Sequence, residues 1–512
     1  MIGRTHTFTA EGLEMRLVTV EVDVRPGLPA FRVVGLGDAG VREARERVRS
    51  AIVNSGYTFP NQRITANLAP GDVPKVGPAF DLALACGVLA ASGQLCSDRL
   101  DRVGLIGELA LDGTIRATRG TLAAAQGAAS AGLDTLILGA ERAREATLVR
   151  DLSVAVAERL SSAVRVLEGG AGDPLPVMCL PRKAASLDTT GPDLCDVRGQ
   201  HEAVRALIIA AAGAHSSLFS GLPGTGKTML AERLPSIMPP LSSSETIDVA
   251  RMRNMTDEGT LDRLRYERPF RAPHHTITTA GLIGGARKGW VGEVVLAHHG
   301  VLFLDELAEF AGPTLEALRQ PLEDGRVAIV RANHSAVYPA RFMLVAATNP
   351  CRCGYAGSHR PCRCSPRELA RYRRRLSGPL LDRIDLFASL QSEGGRQATM
   401  DTRPLTTSAR AREAVMDARE RQATRLREHG ITVNAQMNVR LLEEHVKLDE
   451  HAQGMLLVAR QGGSLSMRGQ HRALRVARTI ADLAHSERVQ ARHVQRALLL
   501  RPPPGLTAEG QW

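Results

Sequence analysis

The chain has 512 residues, too many for one hydrophobic core, and typical domain sizes predict about three domains. Hydrophobic (44%) and charged (23%) residues are at ordinary globular levels, but aromatics reach only 3%, which argues against binding single-stranded nucleic acid by base stacking. A formal charge of +11 points to an anionic partner, although only five of the 65 basic residues are lysine, an arginine excess that GC-rich coding also produces. No apolar run approaches the roughly 20 residues of a membrane span, and no basic stretch followed by an apolar run opens the chain, so a cytoplasmic protein without a membrane partner is expected.

Residues 1–170 alternate strand-like and helix-like patterns. Leu17–Val24 reads as a strand, while Val41–Ser55, Phe80–Ala91 and Leu122–Ala131 carry apolar residues at helical spacing, which predicts an α/β domain. Residues 171–192, rich in Gly and Pro and without periodicity, form the predicted linker. A second α/β domain is predicted over 193–395. Residues 396–512 read as helical, in the segments Arg410–Glu428, Val439–Val446, Asp449–Arg460, Gln470–Ser486 and Ala491–Leu500.

In the second domain Gly221-Leu222-Pro223-Gly224-Thr225-Gly226-Lys227-Thr228 matches the Walker A pattern G-x-x-x-x-G-K-[ST] without deviation. It follows the short apolar strand Leu218-Phe219 and precedes the helix-like run Met229–Leu234. Backbone amides of such a loop close around phosphates, and the helix N-terminus adds favourable partial charge. These eight residues are the predicted ATP site, with Lys227 on the β- and γ-phosphates and Thr228 on Mg2+. Val301-Leu-Phe-Leu304 followed by Asp305 and Glu306 is a buried-strand pattern that delivers two carboxylates to the C-terminal edge of a parallel sheet. Asp305 is expected beside Mg2+, and Glu306 is expected to orient and deprotonate the attacking water. The strand Phe342–Ala347 ends at Thr348-Asn349, where Asn349 is expected to read the γ-phosphate or position water, the sensor-1 role.

The pairs His274/His275 and His298/His299 invite a metal reading, but adjacent side chains of a strand point to opposite faces, so structural or interface roles are expected. Cys351, Cys353, Cys362 and Cys364 lie within fourteen residues and can fold around one Zn2+ in a reducing compartment; reduced structural thiols are the other reading. Arg367–Arg375 is helix-like and ends in Arg373, Arg374 and Arg375, which suits phosphate contact, a solvated helix face being the alternative.

Six longer stretches are more specific: Arg271-Ala-Pro-His-His-Thr276, Gly281-Leu-Ile-Gly-Gly285, Leu296-Ala-His-His-Gly300, Leu318-Arg-Gln-Pro-Leu-Glu-Asp324, Asn349-Pro-Cys-Arg-Cys-Gly354 and Ser377-Gly-Pro-Leu-Leu-Asp-Arg-Ile-Asp385. Together they resemble the magnesium-chelatase-like AAA+ family, in its competence-protein branch, over nearly the whole chain. The resemblance implies an AAA+ P-loop core with a parallel sheet, a C-terminal helical lid, and a hexameric ring. It further implies an ATP-driven helicase on single-stranded or branched DNA, promoting branch migration in recombination and the integration of transforming DNA. By the same resemblance Arg383 is an arginine finger acting across the subunit interface, and Arg468, in Ser466-Met-Arg-Gly469, is sensor 2 with Arg472 as its competitor. The hairpin-like Arg326–Arg341, with Arg331, and the loop holding Arg287 and Lys288 become candidates for DNA contact in a central channel. One departure is Trp290-Val-Gly-Glu293, where relatives commonly have a Pro-Gly-Glu turn.

Pro74-Lys-Val-Gly-Pro-Ala-Phe-Asp81 and Gly107-Glu-Leu-Ala-Leu-Asp-Gly113 resemble Lon-type protease domains. An active site of that type needs a serine at Ala79 and a lysine after the turn at Gly120, and Thr118-Arg-Gly-Thr-Leu-Ala-Ala-Ala125 has no lysine. A non-proteolytic scaffold is expected, which disfavours an ATP-dependent, protease-like remodeller. The remaining alternative is a magnesium-chelatase motor subunit, which resembles the central block but neither residues 1–170 nor the four-cysteine segment.

Overall fold

A computed structural model describes residues 2–37, 39–75, 77–96, 98–174, 191–254, 256, 267–285, 291–331, 334–358, 360–376, 380–390, 405–462 and 465–502. Most of the predicted linker, and the loop with Arg287 and Lys288, lie outside these residues.

The N-terminal sheet is built from β1 (Ile2–Glu11), β2 (Glu14–Arg25), β3 (Ala30–Val34), β4 (Arg63–Ala69) and β5 (Val103–Ile106), with a separate small hairpin of β6 (Glu108–Leu109) and β7 (Ile115–Arg116) before β8 (Thr135–Leu138) and β9 (Ser153–Val156). Its order is β3-β4-β2-β1-β5-β8-β9. In β2 Val18, Val20 and Val22 are buried while Thr19, Glu21 and Asp23 are half-exposed, the period of a strand with one face on the core. The helix Asp81–Ala91 is buried along its whole length, which follows from its being apolar on every side. Its first residue, Asp81, is the exception, and its carboxylate is held by Arg47 Nε at 2.7 Å.

The second sheet contains β10 (Ser217–Gly221), β11 (Phe270–Arg271), β12 (Val301–Leu304), β15 (Met343–Thr348) and β16 (Leu386–Leu390), with a hairpin of β13 (Arg326–Arg331) and β14 (His334–Pro339) projecting between β12 and β15 in sequence. The order is β11-β12-β15-β10-β16, with every pairing parallel. β12 and β15 are buried at every residue, as continuous apolar runs covered on both faces must be. Adjacency of β12, β15 and β10 brings their C-terminal ends to one edge, where a ligand crevice forms in open α/β sheets.

The C-terminal helices Ser408–Leu426, Val439–His445, Glu450–Gln461, Met467–Leu483 and Ala491–Leu499 share one apolar core with the second sheet. His215 pins the two together, its Nδ1 lying 3.0 Å from Asp385 Oδ2 and its Nε2 2.8 Å from Thr479 Oγ1. The N-terminal unit rests on the helix Ser243–Asn254. There Gly120 N and Arg142 Nη1 donate to Asn254 O, and Asn254 Nδ2 donates to the buried Glu145 carboxylate. Among the described residues no helix is long and apolar enough to cross a membrane.

Candidate functional site

β10 ends at Gly221, and the chain turns through Gly224 (φ +79°) and Gly226 (φ +87°), left-handed conformations that glycine adopts without steric cost. A Cβ at Gly221 would stand 2.8 Å from Thr225 Oγ1 and 3.1 Å from Leu390 Cβ, so the loop closes tightly there. The helix Lys227–Glu232 follows, and its first-turn amides have no intrahelical acceptor. Lys227 is buried, its ammonium donating to Gly221 O (2.8 Å), Leu222 O (2.9 Å) and Asn349 Oδ1 (3.1 Å). Burial lowers its pKa, opposed by the carboxylates of Asp305 and Glu306. Thr228 Oγ1 donates to Asp305 Oδ2 at 2.7 Å. Lys227, Thr228, Asp305 and Asn349 therefore converge as expected from sequence. A hydroxyl beside a carboxylate is the hard-oxygen donor set of Mg2+, and the ammonium with the loop amides suits phosphate oxygens, so the residues fit Mg-ATP.

Glu306 takes a left-handed backbone conformation (φ 51°, ψ 49°), strained for a residue with a Cβ. Its amide donates to Asp305 Oδ1 (2.9 Å), and its Oε2 lies 3.6 Å from His275 Nδ1. The His275 ring stands edge-on to Phe310 and 4.1 Å from the His274 ring. The strand geometry assumed for the histidine pairs is not the one they adopt. β11 stops at Arg271, so His274 and His275 lie in the turn beyond it, where strand alternation does not apply. Pro273, one residue ahead, is the signal that could have shown this, since proline has no N–H with which to continue a strand ladder. His298 and His299 likewise follow the helix Glu293–Leu296, with ring centroids 3.8 Å apart, and Asp248 completes a cluster close enough to share an ion. His298 Nδ1, however, already accepts the Arg341 amide at 2.9 Å.

Arg383 forms an ion pair with Glu323 of its own chain, and burial, with Arg319 and Arg468 nearby, lowers its pKa. Arg472 Nη1 donates to Leu381 O (3.4 Å) and Ile384 O (3.3 Å), the carbonyls flanking Arg383, whereas Arg468 is exposed on the same helix. Arg472 thus braces the Arg383 turn, and Arg468 is exposed. Arg319 belongs to this arginine group and was not singled out from the sequence.

Cys351, Cys353, Cys362 and Cys364 come together. The Sγ separations are 3.4 Å (351–353), 3.7 Å (351–362) and 3.5 Å (353–362), and all four sulfurs lie within 4.8 Å of one another. A tetrahedral Zn2+ with Zn–S near 2.3 Å implies S–S edges of about 3.8 Å. Backbone amides of Tyr355 and Arg363 lower the pKa of the Cys353 thiol, whereas burial and the neighbouring sulfurs raise those of Cys362 and Cys364, so the clustering of the four sulfurs is the observation that fits a metal. The predicted basic helix is Pro366–Leu376, with Arg373, Arg374 and Arg375 exposed and Arg375 Nη1 3.4 Å from Ala308 O. The predicted hairpin is β13–β14; the Arg331 side chain, with Arg287 and Lys288, lies outside the described residues.

Comparison with known proteins finds three family matches: residues 193–398 to "Magnesium chelatase, subunit ChlI", residues 20–142 to "Subunit ChlI of Mg-chelatase", and residues 405–501 to "Magnesium chelatase, subunit ChlI C-terminal". Competence protein ComM of Haemophilus influenzae is 43% identical over 491 residues, 95% of each chain. The uncharacterized protein YifB of Salmonella typhimurium is 40% identical over 497 residues, 97% of this chain and 96% of its own.

Proposed function

The chain belongs to the magnesium-chelatase-like AAA+ family, a family of ATP- and Mg2+-using proteins, and we propose that it is an ATP-driven motor acting on single-stranded or branched DNA as a hexameric ring. The observation that carries this reading is the joining of two features in one segment. Residue Asn349, bonded to Lys227, leads directly through the cysteine cluster into an exposed arginine helix. The full-length similarity to a protein named for competence supports it, and helicase action promoting branch migration in recombination follows as the finer reading.

Mg-ATP, when bound, supplies the phosphoryl group to be transferred. Lys227 and the loop amides hold the phosphates, Thr228 and Asp305 hold Mg2+, and Glu306 takes the proton of the attacking water, with His275 beside its carboxylate. Arg383 from the neighbouring subunit, braced by Arg472, stabilises the charge that develops, and Arg468 serves as sensor 2. Arg373 and Arg374, with Arg287, Lys288 and Arg331, contact DNA phosphates. The four cysteines hold Zn2+, and the N-terminal unit is a scaffold without proteolytic activity, Ala79 having no hydroxyl.

The descriptions of the matching families favour a second reading, a motor for metal insertion into a porphyrin. Such a motor has no reason to respond to DNA. The deciding experiment measures ATP hydrolysis and DNA binding with forked DNA over a salt series, together with strand displacement. Stimulation by DNA and a steep salt dependence are expected. Hydrolysis indifferent to DNA, with no binding at low salt, refutes the DNA reading.

A further inference from the structure

We infer that the arginine helix Pro366–Leu376 transmits nucleic-acid docking to the nucleotide site, and that Tyr372 is the positioning residue through which it does so. This rests on the reading of the chain as a DNA-directed motor and adds the route by which DNA reaches the ATPase.

The helix has two distinct faces. Arg367, Arg371 and Arg374, spaced one turn apart, are exposed, whereas Leu369 and Tyr372 face inward and Tyr372 retains 7% of its surface. Its start is fixed directly after Cys364 by a reciprocal cap. Ser365 N donates to Glu368 Oε2 (2.8 Å), and Glu368 N donates to Ser365 Oγ (3.3 Å).

On the inner face the Tyr372 hydroxyl donates to Asn349 O at 3.0 Å and sits 3.1 Å from Thr348 Oγ1, at the end of β15. Asn349 in turn accepts from the Lys227 ammonium. Two hydrogen bonds therefore separate the middle of the arginine helix from the group that holds phosphate. One turn further on, Arg375 Nη1 donates to Ala308 O, two residues past Glu306. A single helix thus touches both the Asn349 turn and the turn that carries the catalytic carboxylate. Burial raises the pKa of the tyrosine hydroxyl.

A phosphate backbone drawn onto Arg367, Arg371 and Arg374 pulls on a rigid element. Leaving a buried hydrogen-bonding group unsatisfied is unfavourable, so a small helix shift carries Asn349 with it rather than parting from it. The helix is in this sense a lever whose outer face meets the polyanion and whose inner face sets the phosphate-sensing side chain.

Tyr372→Phe removes the hydroxyl and keeps the ring. In the full-length protein with forked DNA, the ratio of kcat with DNA to kcat without DNA should fall toward unity, while KM for ATP and Kd for DNA move by less than about twofold. A merely structural tyrosine would shift KM and DNA affinity together. As a second measurement, hydrogen exchange of the amides from Asn349 to Gly354 should respond to DNA in the wild type and not in Tyr372→Phe. A variant stimulated by DNA like the wild type, or a wild type that binds DNA without any change in kcat, overturns the inference. A wild type that binds no DNA removes the parent reading as well and is recognised before any variant is compared.

Discussion

Gly354→Ala tests whether the cysteine loop forms part of the wall of the phosphate site. Gly354 has φ +85°, a left-handed conformation that costs an alanine about 1–2 kcal/mol. Its added Cβ would also fall 2.5 Å from Pro223 Cγ and 2.7 Å from Pro223 Cδ, and a proline ring cannot rotate aside. Forcing a methyl into such a contact costs about a further 1–3 kcal/mol, so the total is about 2–5 kcal/mol. Gly357→Ala is a matched control in the same loop, because Gly357 has φ +75° but a Cβ there meets nothing within 4 Å. The difference between the variants isolates the contact with Pro223, which lies in the loop that must close around phosphate. If that strain is expressed on nucleotide binding, KM for ATP in Gly354→Ala exceeds that of Gly357→Ala by about 5- to 150-fold. Thermal melts with and without Mg-ATP, alongside steady-state hydrolysis, read both effects. Two variants indistinguishable in melting and in KM would refute the claim that the cysteine loop supports the Walker A turn.

Lys227→Ala should abolish ATP binding, whereas Glu306→Gln should bind ATP but lose about 10²–10⁴-fold in hydrolysis, as checked by nucleotide titration and single-turnover assays. Arg383→Ala should keep nucleotide binding and lose about 10³–10⁵-fold in kcat. Mixing it with Lys227→Ala protein should restore part of the activity; no recovery at any ratio, with subunit exchange verified by labelling, counts against action between subunits. Elemental analysis of protein purified without added metal should find about one zinc per chain, and chelation should lower the melting temperature; metal-free protein of unchanged stability would refute the zinc site. His298, held down to about 3 mainly by burial, stays neutral while the unfolded chain protonates below its ordinary value near 6.5. Stability should therefore be fully present above that value and be lost as pH falls toward 3, and denaturation curves of His298→Asn, which can still accept the Arg341 amide, should lack that slope.

Features set by neighbouring residues are legible in the amino-acid sequence. Glycines at Gly221 and Gly226 before Lys227-Thr228 belong to the phosphate-loop pattern wherever it stands, and β10 and the helix Lys227–Glu232 flank it as their patterns predict. The apolar runs of β12 and β15 ended in the polar residues that the site uses, because a buried parallel strand can place such groups only at its end. The helical periods from 408 to 499 were legible for the same reason, one apolar face repeating every turn. Contacts between residues distant in the chain came only from folding. It set Lys227 on Asn349, 122 residues away, Arg472 on the Leu381 carbonyl, 91 residues away, and Gly354 on the Pro223 ring. It also put His275 beside Glu306, and Tyr372 of the arginine helix under the Asn349 turn; the segments holding His275, Glu306 and Asn349 carry no period. Hydrophobic periodicity reports which face of an element is buried, but not which element buries it; only the packing of the sheet, the cysteine loop and the lid against one another selects those partners.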